Sequence, residues 1–242
     1  MTPLHDLVAL VAGASGDIGR AIALALAEAG ATLWLVGRRP AVLSAVAEAA
    51  RRATPHVMVH PADLTAEADV QALRDRVARD GGRLDILIHS VGIVGWAPLE
   101  TAPIADLDAQ YRANLRAPYL LTQAMLPLLC AKRGQVVFIN SSAGLEAGVD
   151  GGQYAASKHG LRAIADSLRQ EVNARGVRVT SVYVGRTAGA VQARLFERER
   201  RAYRPELLVQ PTNVAAMVTA ILALPRTAEV TEIRMRPLAK SY

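Results

Sequence analysis

The sequence contains a single cysteine, Cys130. No internal disulfide can therefore tie the fold together, and a thiol set in an apolar stretch defaults to a buried, inert packing role. No apolar run reaches the roughly 20 residues that a membrane-spanning helix needs, so no membrane association is expected. The chain opens Met1-Thr-Pro-Leu-His-Asp and runs straight into an apolar segment. That opening lacks a signal-peptide pattern, and a cytoplasmic location is the expectation. Aromatic residues make up only 4% of the chain, and they do not interleave with basic ones, so a base-stacking surface is missing. This matters because the net charge is +6, and an excess of positive charge raises the question of nucleic acid. The basic residues are scattered except for Arg38-Arg39, Arg51-Arg52 and a cluster over 194–204. An anionic cofactor explains part of this arginine content more economically than nucleic acid does. Repeats and linkers are absent too, and no metal site is expected.

What is present is a regular alternation. Apolar strand-like runs cover 7–12, 31–36, 56–60, 84–92, 135–140, 177–183 and 229–235. Helical patterns separate them, among them 66–79, 103–131 and 211–224. Continuous apolar runs suit strands buried on both faces, and strand–helix alternation argues for a doubly wound parallel α/β sheet in one domain spanning 1–242. The first run ends in Gly13-Ala-Ser15-Gly16-Asp17-Ile18-Gly19 and leads into a helix. That strand–turn–helix context raises a glycine motif above chance. Gly13 allows the tight turn, Gly19 allows close helix–strand packing, and the free N–H groups of the helix start can hold a pyrophosphate. The second run ends in Gly37-Arg38-Arg39. An arginine there can pair with a phosphate through a bidentate fork, no carboxylate in this turn opposes it, and a solvated arginine pair at a helix start is the plain alternative.

The stretch 141–158 carries the chemistry. Tyr154 and Lys158 are four residues apart on a helical pattern, and so share a face. A free tyrosine titrates near ~10, and an ammonium close by is expected to lower that value towards a usable general acid or base. Ser141, with Gly144 in a Ser-x-x-Gly turn, precedes this helix and can hydrogen-bond the same substrate oxygen; Ser142 is its rival.

Taken in order, the glycine turn, Asn114, Ser141, Tyr154 and Lys158 resemble the short-chain dehydrogenase/reductase family over nearly the whole chain. The resemblance implies a Rossmann fold of about seven strands. It implies an oxidoreductase moving a hydride between a nicotinamide dinucleotide and a carbonyl or secondary alcohol. Tyr154 would be the acid/base, Ser141 the hydrogen-bond donor, Lys158 a ribose ligand, and Asn114 the anchor of a relay water. Cofactor contacts are implied at Gly13, Ser15, Gly16, Asp17, Ile18, Gly19, Arg38, Arg39, Ser90, Gly92, Tyr154, Lys158, Gly185 and Thr187. Asp63-Leu64 would touch adenine, with Asp63 as a helix cap the open alternative. Gly37 stands where NAD-selective relatives carry an acidic residue, and Arg38 follows it, which implies NADP(H), with NAD(H) still possible.

The sequence also departs from the family pattern. Asp17 stands where single-domain relatives carry glycine, and its side chain is expected to turn away, with Gly16 giving the close backbone approach. His89-Ser90 replaces an asparagine pair, with His89 read as a structural donor, and Val184 replaces a proline. These departures keep a second class open, a catalytically silent dinucleotide-sensing or interaction protein. Residues 190–203, within a segment around 186–210, are expected to form a mobile lid whose apolar face uses Leu195, Phe196 and Tyr203. Val91, Ile93, Trp96, Leu145, Val149 and Tyr183 are expected to surround a small, rather apolar carbonyl substrate, with Glu146 or the lid arginines free for polar groups. A homodimer or homotetramer built on helices near Asn114 and Tyr154 is implied by the resemblance, with the tail 237–242 either joining that interface or mobile.

Overall fold

The computed structural model describes residues 4–239. Residues 1–3 of the opening and 240–242 of the tail lie outside the described residues. The strands are β1 (Val8–Ala12), β2 (Thr32–Gly37), β3 (Val57–Pro61), β4 (Ile86–His89), β5 (Gln135–Ser141), β6 (Arg178–Val184) and β7 (Glu232–Met235). They form one sheet in the order β3-β2-β1-β4-β5-β6-β7, and every neighbouring pair is parallel. The chain winds outward from β1 to β3, then crosses back to β4 and winds the other way. The crevice at the C-terminal ends of β1 and β4 is the switch point where such sheets bind ligands.

The helices are α1 (Asp17–Glu28), α2 (Pro40–Ala50), α3 (Glu67–Arg79), α4 (Ile104–Tyr111), α5 (Ala117–Ala131), α6 (Gly152–Val172), α7 (Ala190–Arg198) and α8 (Pro211–Leu222). Two apolar layers result. Ile22, Leu26, Leu43, Val46, Val214 and Val218 bring α1, α2 and α8 onto one face of the sheet. Val70, Leu73, Leu121, Met125, Leu161 and Leu168 bring α3, α5 and α6 onto the other. Every residue of β4 and β6 is buried, as expected of strands covered on both faces; of the polar members of β6, Arg178 and Thr180 are held by hydrogen bonds to backbone carbonyls over 224–230. Removing one such anchor, Leu73→Ala, costs about 2–5 kcal/mol.

Several boundaries differ from the sequence reading, for identifiable reasons. The fourth run leaves the sheet at Ser90, where its N–H is drawn to the Ala12 carbonyl over the glycine turn. The last run does not pair until Glu232, because the Glu229 carboxylate instead accepts the Val179 N–H at 2.7 Å. The long pattern over 103–131 is broken by a π turn, Arg112–Arg116, centred on Asn114. Among the described residues no helix is long and apolar enough to cross a membrane.

Candidate active site

The glycine turn is dictated by close contacts. Gly13 has φ +86, and a Cβ there would come within 2.6 Å of the Ser90 carbonyl oxygen. A Cβ on Gly19 would lie 2.2 Å from the Gly13 carbonyl oxygen. Both positions therefore exclude any other residue, and they seat α1 against the ends of β1 and β4. Gly16 is different: a Cβ would meet only the Gly13 oxygen, at 3.5 Å, so the protein itself leaves that side open. Asp17 turns aside as expected, and it has a definite partner. Its Oδ2 accepts the Ala190 N–H at 2.9 Å, from the first residue of α7.

The second turn is organised around the first. A Cβ on Gly37 would approach the Ser15 hydroxyl to 3.1 Å, so a larger residue here would have to displace Ser15. Arg39 donates from Nη2 to the Ser15 carbonyl, which makes it a brace of the glycine loop. Arg38 is exposed. Arg38 is one of the groups holding the Asp63 carboxyl, from the loop after β3, below its ordinary range, behind the larger effect of the Thr65 N–H. Asp63 accepts from both the N–H and the hydroxyl of Thr65, at 3.0 and 2.8 Å. These bonds form a local turn ahead of α3, whose own cap position is Ala66, so Asp63 is not itself the helix cap. Leu64 is buried in the core, so its side chain is not presented to a ligand.

At the far end of the cleft four residues converge. Ser141 closes β5, and its Oγ accepts the Ala143 N–H at 3.1 Å, leaving its own proton free to donate. Ser142 is exposed at the start of the following short turn. Tyr154 and Lys158 sit on the buried face of α6, with the lysine Nζ 5.9 Å from the tyrosine ring centroid. Trp96 packs against the Tyr154 ring at 5.4 Å. A Cβ on Gly92 would lie 3.3 Å from Asn114 Oδ1 and 3.5 Å from Lys158 Nζ, so glycine there lets the loop pass close to both. Asn114 is fully buried. Its Oδ1 accepts the Ile93 N–H, and its Nδ2 donates to the Ile93 carbonyl and to Ser157 Oγ. Both amide protons are thus engaged. The side chain clamps the loop after β4 to α6, and a relay water would fall to backbone of the π turn, a device common at functional sites.

Burial sets the titration of this group. Desolvation pushes the Tyr154 phenol above its ordinary value, and the Ser141 hydroxyl opposes this only in part. It also lowers Lys158 from 10.5 to about 8. The expectation that Lys158 lowers the tyrosine is therefore corrected: its ammonium lies towards the ring and the Ile139 carbonyl, 3.5 Å away. His89 is held neutral by burial, down to about 3. Its Nε2 lies 2.9 Å from Thr122 Oγ1 and its ring stacks on Phe138. It is a structural residue of the sheet layer and does not line the cleft.

The glycine turn and the group Ser141, Tyr154 and Lys158 share one cleft of about 660 Å³. Ser90, Gly92, Gly185 and Thr187 line its middle, and α7 covers it with Val191, Gln192 and Leu195. Thr187 Oγ1 donates to the Gly185 carbonyl at 3.1 Å. Where a lid was expected over 190–203, α7 stops at Arg198 and the chain turns through Arg200 at φ +53. Phe196 and Tyr203 pack together with Leu208 beneath it, while Leu195 faces the cleft. Of the residues expected around the substrate, Val91 and Trp96 line the cleft, as does Glu146; Ile93, Leu145, Val149 and Tyr183 do not. Val149 is exposed on its loop, and Tyr183 points into the layer under α6 because strand alternation sends it there.

Some contributors escaped the sequence reading. Asn140 Oδ1 accepts the Ser141 N–H at 2.8 Å, and its Nδ2 donates to the Lys158 carbonyl at 3.1 Å. It fixes the two catalytic segments to each other. A Cβ on Gly144 would strike both groups, so glycine there was a visible signal of this close approach. Ser157 links Asn114 to the Tyr154 carbonyl, to which its hydroxyl donates at 2.8 Å. Its place beside Lys158 was the available hint.

Comparison with known proteins agrees with this geometry. The family model for short chain dehydrogenases matches residues 7–200. An uncharacterised oxidoreductase of Staphylococcus aureus (strain N315) is 31% identical over 239 residues, covering 98% of this chain and all of that protein. A short-chain dehydrogenase of Shigella flexneri, solved with NADP, superposes with a TM-score of 0.88 at 30% identity, covering 97% of this chain and 98% of that one. A metagenomic short-chain oxidoreductase, also solved with NADP, gives a TM-score of 0.84 at 32% identity over 98% of this chain and all of its own. The chain belongs to the short-chain dehydrogenase family of oxidoreductases.

Proposed function

We propose that this protein transfers a hydride between NADP(H) and a carbonyl or secondary alcohol, with Tyr154 as the general acid/base. The observation that carries the reading is the single cleft that joins the glycine turn to Ser141, Tyr154 and Lys158. The residues fit a dinucleotide. The backbone at Gly13, Gly16 and Gly19 leaves the start of α1 open to a pyrophosphate. Gly92, Gly185 and Thr187 line the path towards Tyr154, and Lys158 is placed for a ribose. Exposed Arg38 is available to a 2′-phosphate, which favours NADP(H) over NAD(H). The bound nicotinamide supplies the hydride chemistry.

The chain's own part is positioning and proton handling. In reduction, the Tyr154 hydroxyl gives its proton to the developing alkoxide while the Ser141 hydroxyl donates a hydrogen bond to the same oxygen. Asn114 and Asn140 hold the loop and the helix that carry these groups. Val91, Trp96, Val191 and Leu195 line the cleft and suit a fairly apolar ketone or aldehyde. The active unit is a homodimer or homotetramer. Ile104, Leu107 and Tyr111 are exposed along one stripe of α4, with Tyr119 exposed on α5, and a second copy covering that stripe is the occupant. Sedimentation of the purified chain as a monomer would remove the assembly from this account.

The cofactor experiment is a titration with NADPH and with NADH, following cofactor fluorescence. Tight NADPH and weak NADH binding, followed by reduction of carbonyls that Tyr154→Phe does not support, is the expected result. Binding of neither dinucleotide would overturn the reading.

A further inference from the structure

Asp17 lies between two helix N-termini, and neither has a side-chain cap of its own. α1 starts after Gly16 and α7 after Gly189, and both cap positions are glycine. The Asp17 carboxylate reaches across 173 positions of sequence to the Ala190 N–H, supplying α7 with the hydrogen bond that an N-terminal Asp or Ser would give it. The backbone is shaped for this contact. Gly189 has φ +150, and a Cβ there would fall 2.2 Å from Asp17 Oδ2. Tyr203 secures the same point, since its hydroxyl accepts the Gly189 N–H at 2.8 Å. Asp17, Ile18, Gly189 and Val191 all line the cleft. The latch therefore sits beside the start of α1, where an anion is best held.

We propose that Asp17 is a cofactor-sensitive latch on the lid. Its carboxylate caps α7 and holds that helix against the glycine turn. A pyrophosphate entering at the start of α1 meets that carboxylate as a like charge and competes with it for the same positive helix ends. Binding thus displaces Asp17 and frees α7 to reposition over the substrate. This rests on the dinucleotide reading given above and adds to it the means by which the lid registers an occupied cofactor site. Asp17 is a positioning residue in this scheme; it acts on α7 and takes no part in proton transfer.

The test uses full-length wild type, Asp17→Ala and Asp17→Asn, with two readouts. The first is hydrogen–deuterium exchange of peptides over 188–203 with no cofactor added. Asp17→Ala should exchange about fivefold faster there, the scale of a lost helix cap, and Asp17→Asn less so, since its amide oxygen still accepts. Exchange in the central strands serves as the control for folding. The second is affinity for NADPH and NADH. Removing the charge should tighten both to the same degree, by about tenfold or more, with the gain shrinking at high salt. Unchanged lid exchange in Asp17→Ala, or weaker cofactor binding in both variants, overturns the latch while leaving the dinucleotide reading intact. Failure of all three proteins to bind either dinucleotide overturns the cofactor reading and the release step with it, and the exchange result then stands apart.

Discussion

Lys158→Met separates the demands of function from those of stability. The lysine is 4% exposed, and burial lowers it from 10.5 to about 8. At about 1.4 kcal/mol per pKa unit, holding this charge in the fold costs about 3 kcal/mol at pH 7. Its Nζ has only a long contact with the Ile139 carbonyl, at 3.5 Å, so little hydrogen bonding is lost with it. Methionine has a similar length and no charge, and the backbone carbonyl that receives Asn140 is retained. The variant is therefore expected to be more stable than wild type at pH 7, by up to about 3 kcal/mol, while its turnover is lost. The pH dependence fixes the cause. Between pH 8 and 10.5 the unfolded lysine still holds a proton that the folded one has released, so wild-type stability rises with pH across that window. The advantage of Lys158→Met should be full below about pH 8 and vanish near 10.5. Urea denaturation of both proteins at pH 7, 8.5 and 9.5 measures this directly. A less stable variant at pH 7, or a difference that does not narrow with pH, would refute the argument.

Tyr154→Phe should abolish carbonyl reduction and leave NADPH affinity within about twofold, because the ring that packs on Trp96 is kept and only the proton donor is removed; turnover in that variant would sink the mechanism. Arg38→Asp should reverse the preference from NADPH to NADH, since a charge pair near 4 Å is worth about 4 kcal/mol gross before desolvation. An unchanged ratio of the two dissociation constants would take Arg38 out of the account. His89 is neutral in the fold down to about 3, whereas the unfolded side chain protonates from 6.5. Its contribution is complete above pH 6.5 and is lost as the pH falls towards 3, amounting to about 2 kcal/mol by pH 5. His89→Gln should lack that acid-sensitive loss, and parallel acid profiles for the two proteins would disprove it.

The sequence disclosed most of the fold because the determinants are local and periodic. Apolar runs ending at Ala12, Val36 and Asn140 became strands, and Gly13 and Gly19 of the first turn had a steric reason to be there. The catalytic order was legible for the same cause: Tyr154 and Lys158 lie on one helix, so spacing alone put them on one face. What the sequence hid were contacts between segments far apart in it. Asp17 was visibly unusual, yet its partner Ala190 could not be named from spacing. Asn140 looked like the end of a strand, and its bond to the Lys158 carbonyl appears only once β5 and α6 are packed. Tyr183 was placed at the substrate because it ends an apolar run, but one step of strand alternation turns it into the interior. Asp63 was read as an adenine contact or a helix cap, and its actual partner, Thr65 two residues on, appears only in the folded turn.

On the proposed mechanism, the burial that costs stability also favours one direction of the reaction. A phenol above its ordinary value stays protonated at neutral pH, so Tyr154 is ready to give a proton to an alkoxide and poorly prepared to take one from an alcohol. Lys158, near 8, keeps most of its charge at pH 7 and loses it as the pH rises. The proposed reduction needs no prior ionisation of the tyrosine, whereas oxidation of an alcohol needs the phenolate. The two directions should therefore respond oppositely to pH: reduction highest near neutrality and falling above about 8, oxidation climbing through the alkaline range. Rate profiles measured in both directions on one carbonyl/alcohol pair test this. Profiles that rise and fall together would mean that the protonation state of Tyr154 does not set the polarity of the reaction.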